Sequence, residues 1–280
     1  MAGLHAMSMQ LNATVAGQHY VVRLDRAHNI SIPVRFDDHQ LSVFGAPPAR
    51  AEPFATAGFV GDVNQGGSCN CAIHTFAPHT SGTHTECVGH IASDRIAVCD
   101  MLVESLIPAT LITIAPEAAG ETKETYDPSL RPDDRLLTRA RLQQALQDHA
   151  PGFFAALAIR TIPNGPDMLT RNYDVNRPPF FSIEAIRYLV ELGTEHLLVD
   201  IPSIDRLDDE GKLTNHHLFW GVARGSHAVE KSAASRKSIT ELIYIPDEVA
   251  DGNYLLNLQV APFMADAAPS RPLLYELDRA

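Results

Sequence analysis

Four side chains that can bind a metal ion lie within about a dozen residues of one another, in the segment 78–91. They are His79, His84, Glu86 and His90. Imidazole nitrogen and carboxylate oxygen are the donors that zinc or manganese takes in a Lewis-acid site. In an extended segment, residues two apart point to the same side, so His84 and Glu86 can reach one ion. The pattern predicts a catalytic metal site, with His90 close enough to act on whatever the ion activates.

A second group of candidate ligands lies downstream. Two adjacent histidines, His216 and His217, precede an apolar run, and Glu241 lies inside an apolar strand pattern. A buried glutamate is costly unless it is paired, hydrogen-bonded or bound to a cation, so Glu241 needs a partner. Spacing alone leaves two partners open: a bound cation, or a basic neighbour such as Arg236 or Lys237.

Composition restricts the class of protein. A chain of 280 residues, of which 45% are hydrophobic, can bury a substantial core and needs no second domain. The formal net charge of −12 argues against a nucleic-acid or anionic-membrane partner. No apolar run approaches the roughly 20 residues that span a bilayer, and residues 1–10 lack an export signal. We expect a cytoplasmic protein with a small-molecule substrate and free thiols at Cys69, Cys71, Cys87 and Cys99.

The periodicity of apolar residues predicts a mixed α/β fold. Helical spacing is found at 137–148 and in a segment that begins after Ser182 and ends at Gly193. Strands are expected at 11–15 and 19–24 (a hairpin), 30–34, 40–44, 68–76, 107–114, 154–161, 196–200, 238–245, 255–261 and 272–277, with loops at 46–67 and 120–134. We expect one α/β domain over residues 1–280, with a mixed sheet and a few flanking helices, and poor order in residues 1–10.

The run Gly82-Thr83-His84-Thr85-Glu86, with His90 following, resembles the signature His-x-Gly-Thr-His-x-Asp-x-Pro-x-His. This is the signature of the cyclase family, which includes bacterial kynurenine formamidases and isatin hydrolases. The resemblance extends over most of the chain. Similar segments are found at 158–161, at 182–191, at Asp200-Ile-Pro-Ser-Ile-Asp205 and at Glu241-Leu242.

The resemblance implies a sheet core of the swivelling β/β/α type and a site with one or two divalent ions. Zinc is the first expectation, with manganese and iron as alternatives. By resemblance, His79, His84 and Glu86 would hold the first ion. Glu86, bridging, would hold the second together with His216 and Glu241. His217 is the alternative to His216, because adjacent residues point in opposite directions.

The activity that the resemblance implies is hydrolysis of a carbon–nitrogen bond other than a peptide bond, in an arylformamide-like or cyclic amide. A metal-activated hydroxide would attack the carbonyl, and His90 would carry the proton to the leaving nitrogen. A lactone or ester hydrolase, a cyclase, and a non-catalytic metal- or small-molecule-binding module are the alternatives. A covalent Cys87/His90 mechanism has the right residue types but no third orienting residue. The family also implies a homodimer or a higher homo-oligomer.

Two departures from the signature affect the predicted site. Glu86 stands where the family has aspartate, and Val88 stands where it has proline. His79 lies five residues before His84, where the family has four. A one-residue β-bulge would return His79 to the metal, whereas without it His79 would drop out. In the 200–205 segment, Ser203 and Asp205 are expected to make turn and cap hydrogen bonds rather than to touch substrate.

Overall fold

The computed structural model describes residues 9–280, so the predicted poor order of residues 1–10 falls almost entirely outside the described residues. The strands are β1 (Leu11–Val15), β2 (Gln18–Asn29), β3 (Arg50–Pro53), β4 (Ala55–Thr56), β5 (Phe59–Val60), β6 (Ala72–Thr75), β7 (His84–Glu86), β8 (Leu106–Ile114), β9 (Glu117–Ala118), β10 (Arg135–Leu137), β11 (Ala156–Thr161), β12 (Phe180–Phe181), β13 (His196–Val199), β14 (Ser238–Glu241), β15 (Gly252–Asn257), β16 (Ala267–Pro269) and β17 (Leu273–Arg279). The helices are α1 (Pro78–Ser81), α2 (Val98–Met101), α3 (Arg139–Leu146), α4 (Ile183–Glu191) and α5 (Thr214–Trp220).

One mixed sheet of ten strands forms the centre of the fold, in the order β1-β2-β17-β15-β8-β11-β13-β14-β7-β16. The four strands β8, β11, β13 and β14 run parallel to one another. Antiparallel strands extend the sheet on both sides, with β7 between β14 and β16. Parallel strands need both faces covered, and this explains why their sequences read as continuous apolar runs. The predicted α/β fold with a mixed sheet is confirmed.

Side chains that alternate along the central strands build two cores. On β11, Leu157 and Ile159 belong to the core on one face, whereas Ala156 and Ala158 belong to the core on the other. Helices α3, α4 and α5 cover the first face through buried side chains: Leu142, Leu146, Ala185, Ile186, Leu189, Phe219 and Trp220. This arrangement leaves the ends of β7 and β14 beside α5.

Among residues 9–280, no helix is both long and apolar enough to cross a bilayer.

The predicted elements agree with the structure at the sheet centre and differ at its margins. The amino-terminal hairpin, the central strands and the helices α3 and α4 are found, and Ser182 caps α4 by accepting a hydrogen bond from the Ala185 amide. The strands predicted at 30–34 and 40–44 are wrong, because each segment makes only an isolated bridge. Helix α5 was not predicted. The predicted 46–67 loop contains the short strands β3, β4 and β5, and β3 pairs with the exposed strand β6.

Candidate metal centre

Strand β7 places two of the candidate ligands on one side of the sheet. His84 and Glu86 lie two residues apart and are both buried. Strand pairing sets Glu241 of β14 directly opposite His84, and residues in such pairs have neighbouring side chains. The hydroxyl of Thr83 fixes the start of β7, since it accepts a hydrogen bond from the Ile32 amide and donates one to the Leu242 carbonyl. The sheet register therefore brings Glu241, 157 positions after His84 in the chain (241 − 84), to the pair.

The imidazole of His84 is oriented so that Nε2 faces the carboxylates. Its Nδ1 lies 3.1 Å from the Gly82 carbonyl oxygen, a group that can only accept, so Nδ1 carries the proton. Its Nε2 faces Glu241 and lies 3.5 Å from Oε2 of that carboxylate. The other oxygen of Glu241 accepts a hydrogen bond from the Ile204 amide, which fixes that carboxylate. Metal-binding histidines are held in the same way, with one ring nitrogen donating to a backbone carbonyl and the other left to face the ion.

Helix α5 supplies His216, and Asp205 orients it. The Asp205 carboxylate caps the start of the helix by accepting from the Asn215 and His216 amides. Its Oδ2 also lies 2.6 Å from Nδ1 of His216, so that His216 Nε2 points at Oε1 of Glu86, 3.0 Å away. His217 lies on another side of the helix, with its ring 6.2 Å from that of His227. Of the two adjacent histidines, His216 is the one that reaches the cluster.

His79 reaches the cluster from a helical turn. The predicted β-bulge is wrong, because Pro78 begins the four-residue helix α1 and the extra residue is absorbed in that turn. His79 Nε2 lies 3.4 Å from Oε2 of Glu86. His90 lies alongside, with its ring centroid 4.5 Å from that of His79 and its Nδ1 3.7 Å from Glu86 Oε2.

Sequence reasoning missed Asp266. Its Oδ2 lies 3.1 Å from His79 Nε2 and 3.2 Å from His90 Nδ1. The backbone carbonyl of Asp266 accepts a hydrogen bond from the Cys87 amide, which ties the segment before β16 to the segment after β7. No spacing pattern in the sequence signals Asp266, because strand pairing alone brings it here.

Gly89 packs so closely on Ile96 that an added Cβ would overlap the Ile96 carbonyl oxygen.

The buried polar atoms of the cluster indicate that it can hold a cation. Within residues 9–280, His79 Nε2, His84 Nε2 and both carboxylate oxygens of Glu86 are buried and make no hydrogen bond of good geometry. Most buried polar atoms in proteins have such a partner. Here nitrogen and oxygen atoms lie 3.0–3.7 Å apart without that geometry. Nitrogen and oxygen atoms that converge in this way, without good hydrogen bonds to one another, are suited to bind a divalent metal ion between them.

Glu86 belongs to both of the overlapping groups that could hold an ion. The groups are His79, Glu86 and His90, and His84, Glu86 and Glu241. This differs from the division that the family resemblance implies, since His84 groups with Glu241 and not with His79. Burial would raise the pKa of Glu86, but His90, His216 and His79 lower it well below its usual value. The carboxyl group that the two groups share therefore favours its ionised form.

The carboxylates hold protons on two of the imidazoles. Burial alone would lower the pKa of His79, but contacts with Asp266 and Glu86 raise it to about 10. Burial also opposes protonation of His216, yet Asp205 and Glu86 raise its pKa well above the usual value. A cation that binds here must displace these protons.

The covalent alternative does not fit the site. Cys87 is fully buried, and burial raises the pKa of its thiol to about 12. A thiol must lose its proton to act as a nucleophile. At neutral pH this thiol stays protonated.

Three aromatic residues, Phe76, Trp220 and Tyr244, lie in or near the elements that carry the cluster. Trp220 lies beside the cluster, with its ring 5.4 Å from that of His216, and its Nε1 donates to the Lys237 carbonyl. Phe76 precedes α1, and the centroid of its ring lies 6.5 Å from that of the Phe263 ring. Tyr244 packs against the core cluster that includes Ile32 and Leu242. A cavity of about 390 Å³ includes Gly89 and Asp266 in its lining, and one of about 550 Å³ includes Thr80 and Ser81 of α1.

The sheet and the clustered imidazoles and carboxylates together define an α/β protein with a candidate divalent-metal centre. A family model described as "Putative cyclase" matches residues 23–206. The chain belongs to the cyclase family, and the resemblance inferred from residues 82–90 is confirmed.

Named relatives agree with this assignment. The chain is 28% identical over 215 residues to a kynurenine formamidase of Bacillus cytotoxicus, covering 76% of this chain and 83% of the relative. It is 26% identical over 212 residues to the Bacillus anthracis kynurenine formamidase, covering 75% and 82%.

Solved structures show the same fold. An isatin hydrolase bound to the product analogue thioisatinate aligns with a TM-score of 0.58 and 13% identity, covering 91% of this chain and 94% of that one. Isatin hydrolase A from Labrenzia aggregata, bound to benzyl benzoate, aligns with a TM-score of 0.56 and 16% identity, covering 89% and 93%. A predicted metal-dependent hydrolase from Bacillus stearothermophilus aligns with a TM-score of 0.55 and 15% identity, covering 89% and 98%.

Proposed function

We propose that this protein is a metal-dependent hydrolase that cleaves the carbon–nitrogen bond of an arylformamide-like or cyclic amide. The observation that carries the proposal is the convergence of His84, Glu86, His216 and Glu241 from three separate elements around one buried point. The relatives that are kynurenine formamidases, and the fold shared with isatin hydrolases, support the substrate class.

The residues that would hold the metal are His79, His84, Glu86, His216 and Glu241, for one or two divalent ions. Zinc is proposed first, because it accepts both imidazole and carboxylate ligands at low coordination number, with manganese and iron as alternatives. A bound divalent cation supplies a Lewis acid and lowers the pKa of water from 15.7 toward about 7. Burial of His84, Glu86, His216 and Glu241 excludes bulk water and strengthens their interactions with charge.

His90 is the proposed proton carrier. Its side chain is 27% exposed, whereas that of Glu86 is 1% exposed, so His90 borders solvent at the edge of the cluster. When its Nδ1 donates to Asp266, its Nε2 is free to accept a proton from the attacking water. The same nitrogen then returns that proton to the leaving amine. Asp266 would hold the ring in this orientation.

A chelation and substrate screen tests the proposal. The purified protein is stripped with a chelator, reloaded with zinc or manganese, and assayed by absorbance on an aryl formamide, an isatin-like cyclic amide and a lactone. We expect activity on at least one amide, loss of that activity on chelation and its return on reloading. A metal-loaded protein that leaves both amides intact contradicts the proposal. Cleavage of the lactone alone favours the ester-hydrolase alternative.

The oligomeric state, the cellular location and the domain organisation are also proposed. The first is a homodimer or larger homo-oligomer, which light scattering after gel filtration tests. The second is a cytoplasmic location. The third is that residues 1–280 form one domain, which limited proteolysis tests.

A further inference from the structure

A second cluster of imidazole and carboxylate groups lies away from the candidate metal centre. Glu104, Glu195 and His196 each place one ligand atom within 4.8 Å of the others. His196 begins β13, and its register partner on β14 is Ser238. Glu241 lies three residues farther along β14, a separation of about 10 Å at the usual rise of a strand. The cluster is therefore at the opposite end of β14 from the candidate metal centre.

The His196 ring is buried, and one of its nitrogens lacks a partner. The side chain is 4% exposed, and within residues 9–280 its Nε2 makes no hydrogen bond. That nitrogen lies 3.5 Å from Oε2 of Glu104, too far for a good hydrogen bond. The other ring nitrogen, Nδ1, lies 2.9 Å from the Ser238 hydroxyl. A proton on Nδ1 that is donated to this hydroxyl leaves the Nε2 lone pair facing the carboxylates, as in metal-bound histidines.

In the described part of the chain, neither Glu104 nor Glu195 forms an ion pair with a lysine or an arginine. Burial lowers the pKa of Lys237 although the charge of Glu195 opposes this, and its Nζ lies 5.0 Å from the centroid of the Phe219 ring. The two carboxylates and the imidazole nitrogen therefore face one another without a paired cationic side chain, and this favours a cation between them.

The backbone around the cluster is fixed, whereas the carboxylates can move. The Glu195 amide donates to the Ala155 carbonyl, and the Glu195 carbonyl accepts from the Ser238 amide. Both glutamate side chains are exposed, 59% in the case of Glu104. Small rotations of two flexible side chains can close on an ion that the rigid His196 nitrogen positions.

We propose that Glu104, Glu195 and His196 form a structural binding site for a zinc-like divalent cation, with water as the remaining ligand. One imidazole and two carboxylates suit zinc better than magnesium or calcium, which prefer oxygen ligands alone. The ion would fasten the segment before β8 to the turn before β13. This site is independent of the amide-hydrolase proposal.

Zinc titration of the intact protein tests the site. Zinc binding is measured by calorimetry and by equilibrium dialysis for the wild type, Glu104→Gln, Glu195→Gln and the control Glu121→Gln. Glu121 is also an exposed glutamate, so its replacement removes the same charge elsewhere. We expect one fewer zinc ion per chain, or binding at this site weakened about tenfold or more, in the first two variants only. Because both positions are exposed, circular dichroism should show an unchanged fold.

Two results would overturn the proposal. One is equal zinc stoichiometry and affinity in the wild type, Glu104→Gln and Glu195→Gln. The other is equal weakening in Glu121→Gln, since binding would then follow the net charge of the protein. Ring nitrogen chemical shifts give a second readout. At a zinc concentration that just saturates the wild type, Nε2 of His196 should shift in the wild type and shift less or not at all in Glu104→Gln. An unshifted Nε2 in the zinc-saturated wild type would contradict the site.

Discussion

Replacing Asp205 by asparagine should weaken metal binding although no proposed ligand is removed. Asp205 is buried, and its Oδ2 lies 2.6 Å from His216 Nδ1. This contact fixes the proton on Nδ1 and leaves Nε2 available to an ion. Asparagine retains an acceptor oxygen but loses the negative charge, so a charge-assisted hydrogen bond becomes a neutral one.

The magnitude follows from the strength of the two kinds of hydrogen bond. A hydrogen bond to a charged group contributes about 1.5–3 kcal/mol, against about 1 kcal/mol for a neutral one. The difference of about 0.5–2 kcal/mol corresponds to roughly 2- to 30-fold weaker zinc binding. A Tyr126→Phe variant is the control, because Tyr126 donates to the other oxygen of Asp205 without touching His216. Its effect on zinc affinity should be smaller.

The assay is competition for zinc against a chromophoric chelator, with a urea unfolding curve for each variant. A folded Asp205→Asn protein that binds zinc as tightly as the wild type refutes the reasoning. A Tyr126→Phe protein weakened as much as Asp205→Asn refutes it too, because the effect would then come from disturbed packing.

The His90→Asn variant should keep its metal and have a lower kcat, because His90 is proposed to carry a proton. Loss of metal in this variant, measured by elemental analysis, would show that His90 is a ligand. Gly89→Ala should lower Tm, because the added Cβ overlaps the Ile96 carbonyl oxygen and overpacking costs about 1–3 kcal/mol. Gly120→Ala, with no atom within 4 Å of its added Cβ, should melt like the wild type, and equal Tm values for the two variants would contradict the packing argument. Zinc affinity should rise from about pH 6 to about pH 8, because a cation must displace the proton that His79 holds with a pKa of about 10. Zinc dissociation constants across that range test this, and a flat profile would be inconsistent with proton release.

The local sequence pattern was sufficient to predict the part of the site that lies on one strand. His84 and Glu86 share a side because β7 is extended, and the period of two is visible in the sequence. The resemblance to the cyclase family added His216 and Glu241, which spacing alone left open. Strand pairing then explains why they meet, since β14 sets Glu241 opposite His84.

Contacts that depend on chain packing were not accessible from the sequence. Asp266 reaches His79 and His90 only because β16 pairs with β7. The position of His79 depended on whether the extra residue formed a bulge or a helical turn, and Pro78 favours the turn.

The two wrong strand predictions have a common cause. Segments 30–34 and 40–44 have apolar residues at alternate positions because Ile32 and Val43 are buried in one core cluster. Burial of extended chain gives the same pattern as a strand without requiring pairing partners.

Anomalous scattering at the zinc absorption edge, from crystals of zinc-loaded protein, tests the central claim most directly. We expect an ion within about 2.0–2.2 Å of His84 Nε2 or His216 Nε2 and of a Glu86 carboxylate oxygen. A zinc-saturated crystal with no anomalous peak among His84, Glu86, His216 and Glu241 would contradict it.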